Sequence, residues 1–137
     1  MPTTIPLAVA LTENLGILHW GLFIDTADAT EKTVVQIIGA RQKYFPQIRT
    51  PSDARSESAL GDLIDLCEID AAHTETIKNL AYIVPIRNHI ADYSCQYFVL
   101  DLLDRLEEEG IVDGEDNEYK RRKEMLRAKR ESWPPVG

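Results

Sequence analysis

The hydrophobic pattern of this chain changes period once. Up to about residue 69 apolar side chains alternate with polar or small ones, and beyond it they recur at helical spacing. Strands first and helices afterwards is the order of an α+β domain, with antiparallel strands joined by short turns and helices laid on the sheet. Ile5, Leu7, Val9 and Leu11 alternate with Pro6, Ala8 and Ala10, which predicts a first strand. A turn at Glu13–Gly16 leads to a second strand over His19–Asp25. The polar turn Asp28–Glu31 leads to a third, Thr33–Ile38, ending at Gly39. These runs pair as antiparallel strands between Leu11 and Ile38. Gln42–Arg49 reads as a short fourth strand, placed at an edge because Pro46 has no N–H to donate. Thr50–Glu57 is a polar loop, and Leu60–Ile69 alternates imperfectly as a fifth strand.

In the second half, Ile77, Leu80, Ala81 and Val84 share one face of a helix over Ala71–Ile83, stopped by Pro85. Asn88–Asp92 is a loop. Tyr93–Glu109 is the clearest helix, with Cys95, Phe98, Val99, Leu102, Leu103 and Leu106 on one stripe. Asp92 is the expected N-cap and Gly110 the C-terminal stop. Glu107, Glu108 and Glu109 sit at the negative end of that helix, where they are expected to be solvated. Asn117–Glu131 reads as a polar helix ending before Pro134 and Pro135. The expected fold is an antiparallel sheet of about five strands, then two packed helices, plus a polar C-terminal helix.

With 137 residues the chain is long enough for one buried core without staples. The net charge of −8 is unevenly spread: residues 113–131 carry seven Lys/Arg and six Asp/Glu, which leaves −9 on residues 1–112. This divides the chain into a single domain, 1–112, and a charged helix or tail, 113–137. Removing the tail from Asp113 onward should leave the body folded and active. Its basic run, Lys120–Lys123, reads better as a solvated helix with Glu118–Arg122 and Lys120–Glu124 pairs than as a polyanion site. The acidic balance argues against nucleic acid. No apolar run approaches the roughly 20 residues of a membrane helix; the best, Ile17–Ile24, is broken by His19 and Gly21. The start, Met1-Pro2-Thr3-Thr4, lacks the features of a signal peptide. Together with two cysteines, this sets the expectation of a cytoplasmic protein with reduced thiols and no integral membrane segment.

Few residues can do chemistry. Metal binding is not expected, because no Cys-x-x-Cys or His-x-x-x-His spacing occurs. No phosphate loop and no serine elbow is present, and no cofactor is implied. Of the three histidines, His19 opens a strand, His73 lies in a first helical turn, and His89 precedes the Cys95 helix as the rival to His19. Cys67 falls mid-strand and reads as an inert core thiol. Cys95 falls in the first turn of a helix, where unpaired N–H groups and the positive dipole end favour a thiolate. On spacing alone, packing on the apolar stripe is the better account of Cys95.

The segment His19-Trp20-Gly21-Leu22-Phe23-Ile24 resembles the His-Trp-Ala strand of the lecithin:retinol acyltransferase and NlpC-like group. Ser94-Cys95-Gln96-Tyr97-Phe98-Val99 resembles that group's Asn-Cys-Glu-His-Phe-Val helix start. It is closer still to an Asn-Cys-Gln form in small, uncharacterised fungal proteins, and Leu106-Glu107-Glu108-Glu109-Gly110-Ile111 matches their Leu-x-x-x-Gly-Ile element. The resemblance spans about residues 5–112. It implies a circularly permuted papain-like fold, with histidine before cysteine in the chain. The group's second-strand histidine falls on Gln36, and Ser94 replaces its asparagine.

The resemblance implies a cysteine-dependent hydrolase or acyltransferase acting on an ester, amide or thioester. Cys95 would be the nucleophile, His19 the base, and Gln36 the group that orients His19. Two alternatives stand beside it: a non-hydrolytic isomerase or cyclase of small-molecule biosynthesis using the same pocket, and a non-catalytic binding module. The expected partner is a small-molecule or acyl substrate. His19 and Cys95 should share a cleft, within hydrogen-bonding reach or one water of it, with the Gln36 amide facing His19.

Overall fold

A computed structural model describes residues 3–13, 16–57 and 61–133. Five strands form one antiparallel sheet: β1 (Thr4–Thr12), β2 (His19–Ile24), β3 (Thr33–Ile38), β4 (Phe45–Arg49) and β5 (Gly61–Asp70), in the order β4-β3-β2-β1-β5. β4 is an edge strand, as Pro46 requires. The short helix α1 (Ala54–Glu57) lies in the expected polar loop, and a 3-10 turn at Ala71–His73 leads into α2 (Thr74–Ala81). Helices α3 (Cys95–Glu108) and α4 (Asn117–Ala128) follow. The architecture is α+β, strands first and helices after. The centre of the first turn at Asn14 and Leu15, the start of the expected fifth strand at Leu60, and Pro134–Pro135 lie outside the described residues.

Alternation along β1 covers both faces of the sheet. Ile5, Leu7, Val9 and Leu11 join Trp20, Leu22, Ile24, Val35 and Ile37 under the helices, with Ile77, Phe98, Val99 and Leu102. Ala8 and Ala10 face the other way and bury Phe23 and Val34 against Ala54. The imperfect alternation of β5 has a local cause. Leu7 pairs with Cys67 but Ala8 with Asp65, so Leu66 is an extra residue, a β-bulge. The bulge lets Leu66 reach the main core with Ile69.

The ends of α3 are built by backbone chemistry. Ser94, not Asp92, is the N-cap: its backbone is extended and its hydroxyl accepts the Gln96 N–H at 3.2 Å. Asp92 is instead committed to Trp133 and Tyr97. Gly110, at φ 73°, closes the C-terminus as a Schellman turn, with Gly110 N–H on the Glu107 carbonyl and Ile111 N–H on the Leu106 carbonyl.

The segment after residue 113 is not a free tail. Tyr119 and Leu126 are buried in the main core, one seven residues after the other and so on one face of α4. Tyr119 donates to Glu107 at 2.6 Å, and Lys123 pairs with both Glu107 and Asp104. Arg122 reaches the Asp65 carbonyl of β5 at 2.9 Å. Glu107 is therefore half-buried and bonded rather than solvated. The Glu118–Arg122 pair forms, whereas Lys120 meets Glu115 instead of Glu124. This packing speaks against a dispensable tail.

Candidate functional site

The site arises where two strands part. β2 and β3 are paired only from Leu22–Val35 to Ile24–Thr33. Beyond Leu22, β2 stays with β1 as far as His19, while β3 stays with β4 as far as Ile38. The sheet splits between them, and a cleft of about 380 Å³ opens there, lined by His19, Gln36, Tyr44, Arg49, Cys95 and Trp133 among others. A second lobe of about 100 Å³ shares His19, Gln36 and Arg49 and continues along the Ala10, Gly21 and Val34 face.

His19 and Gln36 are joined across the gap. The His19 Nε2 lies 2.7 Å from Gln36 Oε1, and the Gln36 amide nitrogen donates to Gln47 Oε1, also at 2.7 Å. An amide oxygen only accepts, so this pairing puts the imidazole proton on Nε2 and leaves the Nδ1 lone pair free. Gly21 makes the contact sterically accessible. A Cβ at position 21 would stand 2.7 Å from Val34 Cγ1 and 3.4 Å from Gln36 Oε1. Gly21→Ala is accordingly expected to lower stability by about 1–3 kcal/mol, the usual cost of overpacking. Urea unfolding checks this; an unchanged midpoint contradicts the steric account.

Cys95 is the first residue of α3 and is 5% exposed. Its sulfur accepts the Trp20 N–H at 3.4 Å and donates toward the Leu18 carbonyl at 3.8 Å, so it touches the peptide groups on both sides of His19. With β3 gone from this end, the Trp20 N–H has the sulfur as its partner. Among the described residues no hydrogen bond joins the imidazole to the sulfur, although both residues line the cleft. Burial pushes the Cys95 thiol up, against the opposing pull of the Trp20, Gln96 and Cys95 N–H groups. The helix N-terminus therefore does not overcome desolvation, contrary to the expectation of a lowered value.

Cys67 differs. It is half-buried in β5, its thiol pushed up to about 11 by burial and by Asp116 and Glu68, with no N–H donor opposing. Both cysteines are free thiols. Cys67 borders a cavity of about 570 Å³ between β5 and α4 that is lined largely by carboxylates. Among the described residues no group of three or more His, Cys, Asp or Glu is placed to hold a metal ion. No helix of the described residues is long and apolar enough to cross a membrane. His89 is exposed and His73 half-buried, and neither lines the cleft.

A family model matches residues 6–113, which covers the sheet from Pro6 onward, α3 and all three candidate residues. The chain belongs to DUF6540, a family of unknown function. No curated protein and no solved structure matches it. Within this DUF6540 chain, two groups that line the cleft, Arg49 and Tyr44, have no sequence signature of their own, and Gln96 lies beside Cys95. Arg49 lines both lobes with no ion-pair or hydrogen-bond partner among the described residues. Tyr44 contributes an aromatic wall, edge-on to Tyr93 at 6.2 Å. Gln96 is fully buried and bonds the Leu18 carbonyl at 2.9 Å. Its sequence signal is the Asn-Cys-Gln-like run Ser94-Cys95-Gln96.

Proposed function

We propose that this DUF6540 protein is a cysteine-dependent hydrolase or acyltransferase in which Cys95 attacks an ester, amide or thioester carbonyl. The observation that carries the reading is the Gln36–His19 bond at a cleft that Cys95 also lines; it occupies Nε2 and leaves Nδ1 as the basic nitrogen. The order of histidine strand and cysteine helix also supports a circularly permuted papain-like arrangement.

The chemistry follows from these groups. His19 Nδ1 takes the thiol proton as Sγ bonds to the acyl carbon, and the carbonyl electrons move onto oxygen. The Cys95 backbone N–H, at the helix start and directed to its own sulfur in the resting protein, would serve as the oxyanion donor. The acyl bond to the leaving group then breaks, and His19 returns the proton to that group. Water or a second acceptor attacks the thioester, gives its proton to His19, and releases Sγ. Hydrogen bonds between catalytic groups are commonly looser without substrate, so a substrate that bridges Sγ and Nδ1 completes the geometry.

A second reading draws on the thiol itself. Burial keeps Cys95 protonated, which suits a proton donor in an isomerase or cyclase without a covalent intermediate. Turnover separates them. Against a panel of p-nitrophenyl esters and aryl thioesters, the wild-type chain should release chromophore and Cys95→Ser should not. Equal release by both proteins, or none by either, contradicts the hydrolase reading.

A further inference from the structure

We propose that the strap Glu131–Trp133 is a working wall of the cleft, with Trp133 setting the size of the acyl group that reaches Cys95 and Glu131 acting as a positioning residue for the sulfur. The proposal rests on the reading of Cys95 as the reacting group. The strap lies beyond residue 113, outside the stretch that the family model matches.

Its anchors all fall on residues next to the reacting groups. Glu131 and Gln96 exchange bonds: the Glu131 N–H donates to Gln96 Oε1 at 2.7 Å, and Gln96 Nε2 donates to the Glu131 carboxylate at 3.3 Å. The same carboxylate accepts the Leu18 N–H at 3.0 Å, and Leu18 is the residue whose carbonyl faces the Cys95 thiol. One side chain thus ties the start of β2 to the start of α3. Two residues on, the Trp133 N–H donates to Asp92 at 3.1 Å, and its indole N–H donates to the Tyr93 carbonyl at 3.2 Å. The Arg41 guanidinium covers the indole at 5.3 Å and is itself held on the Ala91 carbonyl.

The ring held this way lines the cleft together with Ile17, Ile37, Tyr44 and Cys95. A fixed indole beside aliphatic and phenolic walls favours slender or flat apolar acyl groups over branched or bulky ones. Glu131 also places a carboxylate near the sulfur and opposes its ionisation. The other titratable groups around Cys95 are His19 from β2, Tyr44 ahead of β4 and Tyr93 ahead of α3, with exposed Glu13 and Arg49 also lining the cleft.

The test uses the full chain and two reagents with one warhead, iodoacetamide and a fluorescein-bearing iodoacetamide. Cys95 and Cys67 labelling is resolved by peptide mass. Trp133→Ala should raise the bulky reagent's rate at Cys95 about tenfold or more relative to the small one, the scale of steric discrimination in apolar pockets. Trp133→Phe should restore the wild-type ratio, and labelling at Cys67 should not move. Glu131→Gln, which keeps the acceptor and removes the charge, should shift the pH profile of Cys95 alkylation to lower pH. If Trp133→Ala does not unfold cooperatively, Trp133→Leu replaces it in the same comparison. Equal acceleration of both reagents, or an unchanged ratio with an unmoved pH profile, overturns the proposal. Alkylation needs no turnover. A wall that gates reagents therefore stands even if no ester is hydrolysed, and an esterase with an unchanged ratio keeps its chemistry but loses the wall.

Discussion

A chain cut after Val112 should lose cooperative thermal unfolding or melt far below the intact protein. The cut removes Tyr119 and Leu126, both buried in the main core, and exposes the surface they cover. Full burial of a large apolar side chain stabilises by about 1.5–3 kcal/mol. The Tyr119 bond to the Glu107 carboxylate adds about 1.5–3 kcal/mol, as hydrogen bonds to charged groups do. Together these approach the 5–15 kcal/mol that roughly spans the stability of a whole domain. Calorimetry on the truncated and intact chains measures the loss. A melting temperature within a few degrees of wild type would show that α4 only rests on β5.

His19→Ala should slow acylation of Cys95 by about 10²–10⁴, the range a positioned general base supplies. Burial raises the Cys95 thiol, so little thiolate exists at neutral pH without a base to take the proton. The loss should shrink as pH rises, because hydroxide increasingly does the work of the imidazole. Gln36→Ala should cost less, since Gln36 acts through His19 by fixing its tautomer. Stopped-flow acylation with an activated ester, across pH 6–10, reads both variants. A His19→Ala rate within about twofold of wild type at neutral pH removes His19 from the reaction, against the range expected of a base.

How much was legible in the sequence depends on whether a feature repeats. The alternation of Ile5, Leu7, Val9 and Leu11 and the stripe from Cys95 to Leu106 are periodic, and both elements form where the pattern places them. The His19–Gln36 bond is not a register pair: the β2–β3 ladder ends at Leu22–Val35, and the bond spans the gap beyond it, past Gly21. The bulge at Leu66 was visible only as a broken alternation. Features carried by single residues left no pattern. Ser94 and Asp92 are both good caps on paper, and tertiary bonds to Trp133 and Tyr97 decide between them. The docking of α4 rests on Tyr119, Lys123 and Leu126, an i, i+4, i+7 face submerged in a run of charges. The thiol's suppressed ionisation reflects its burial where α3 meets the Leu18 and Trp20 peptides, which lie 77 and 75 residues away in the chain.

The central claim is that Cys95 carries an acyl group. Intact mass measured during exposure to a p-nitrophenyl ester, followed by peptide mapping, tests it most directly. The account predicts one acyl adduct, located on the Cys95 peptide, absent in Cys95→Ser and slow to form in His19→Ala. An unmodified protein, or an adduct that maps to Cys67 or to surface lysines in wild type and Cys95→Ser alike, would contradict it.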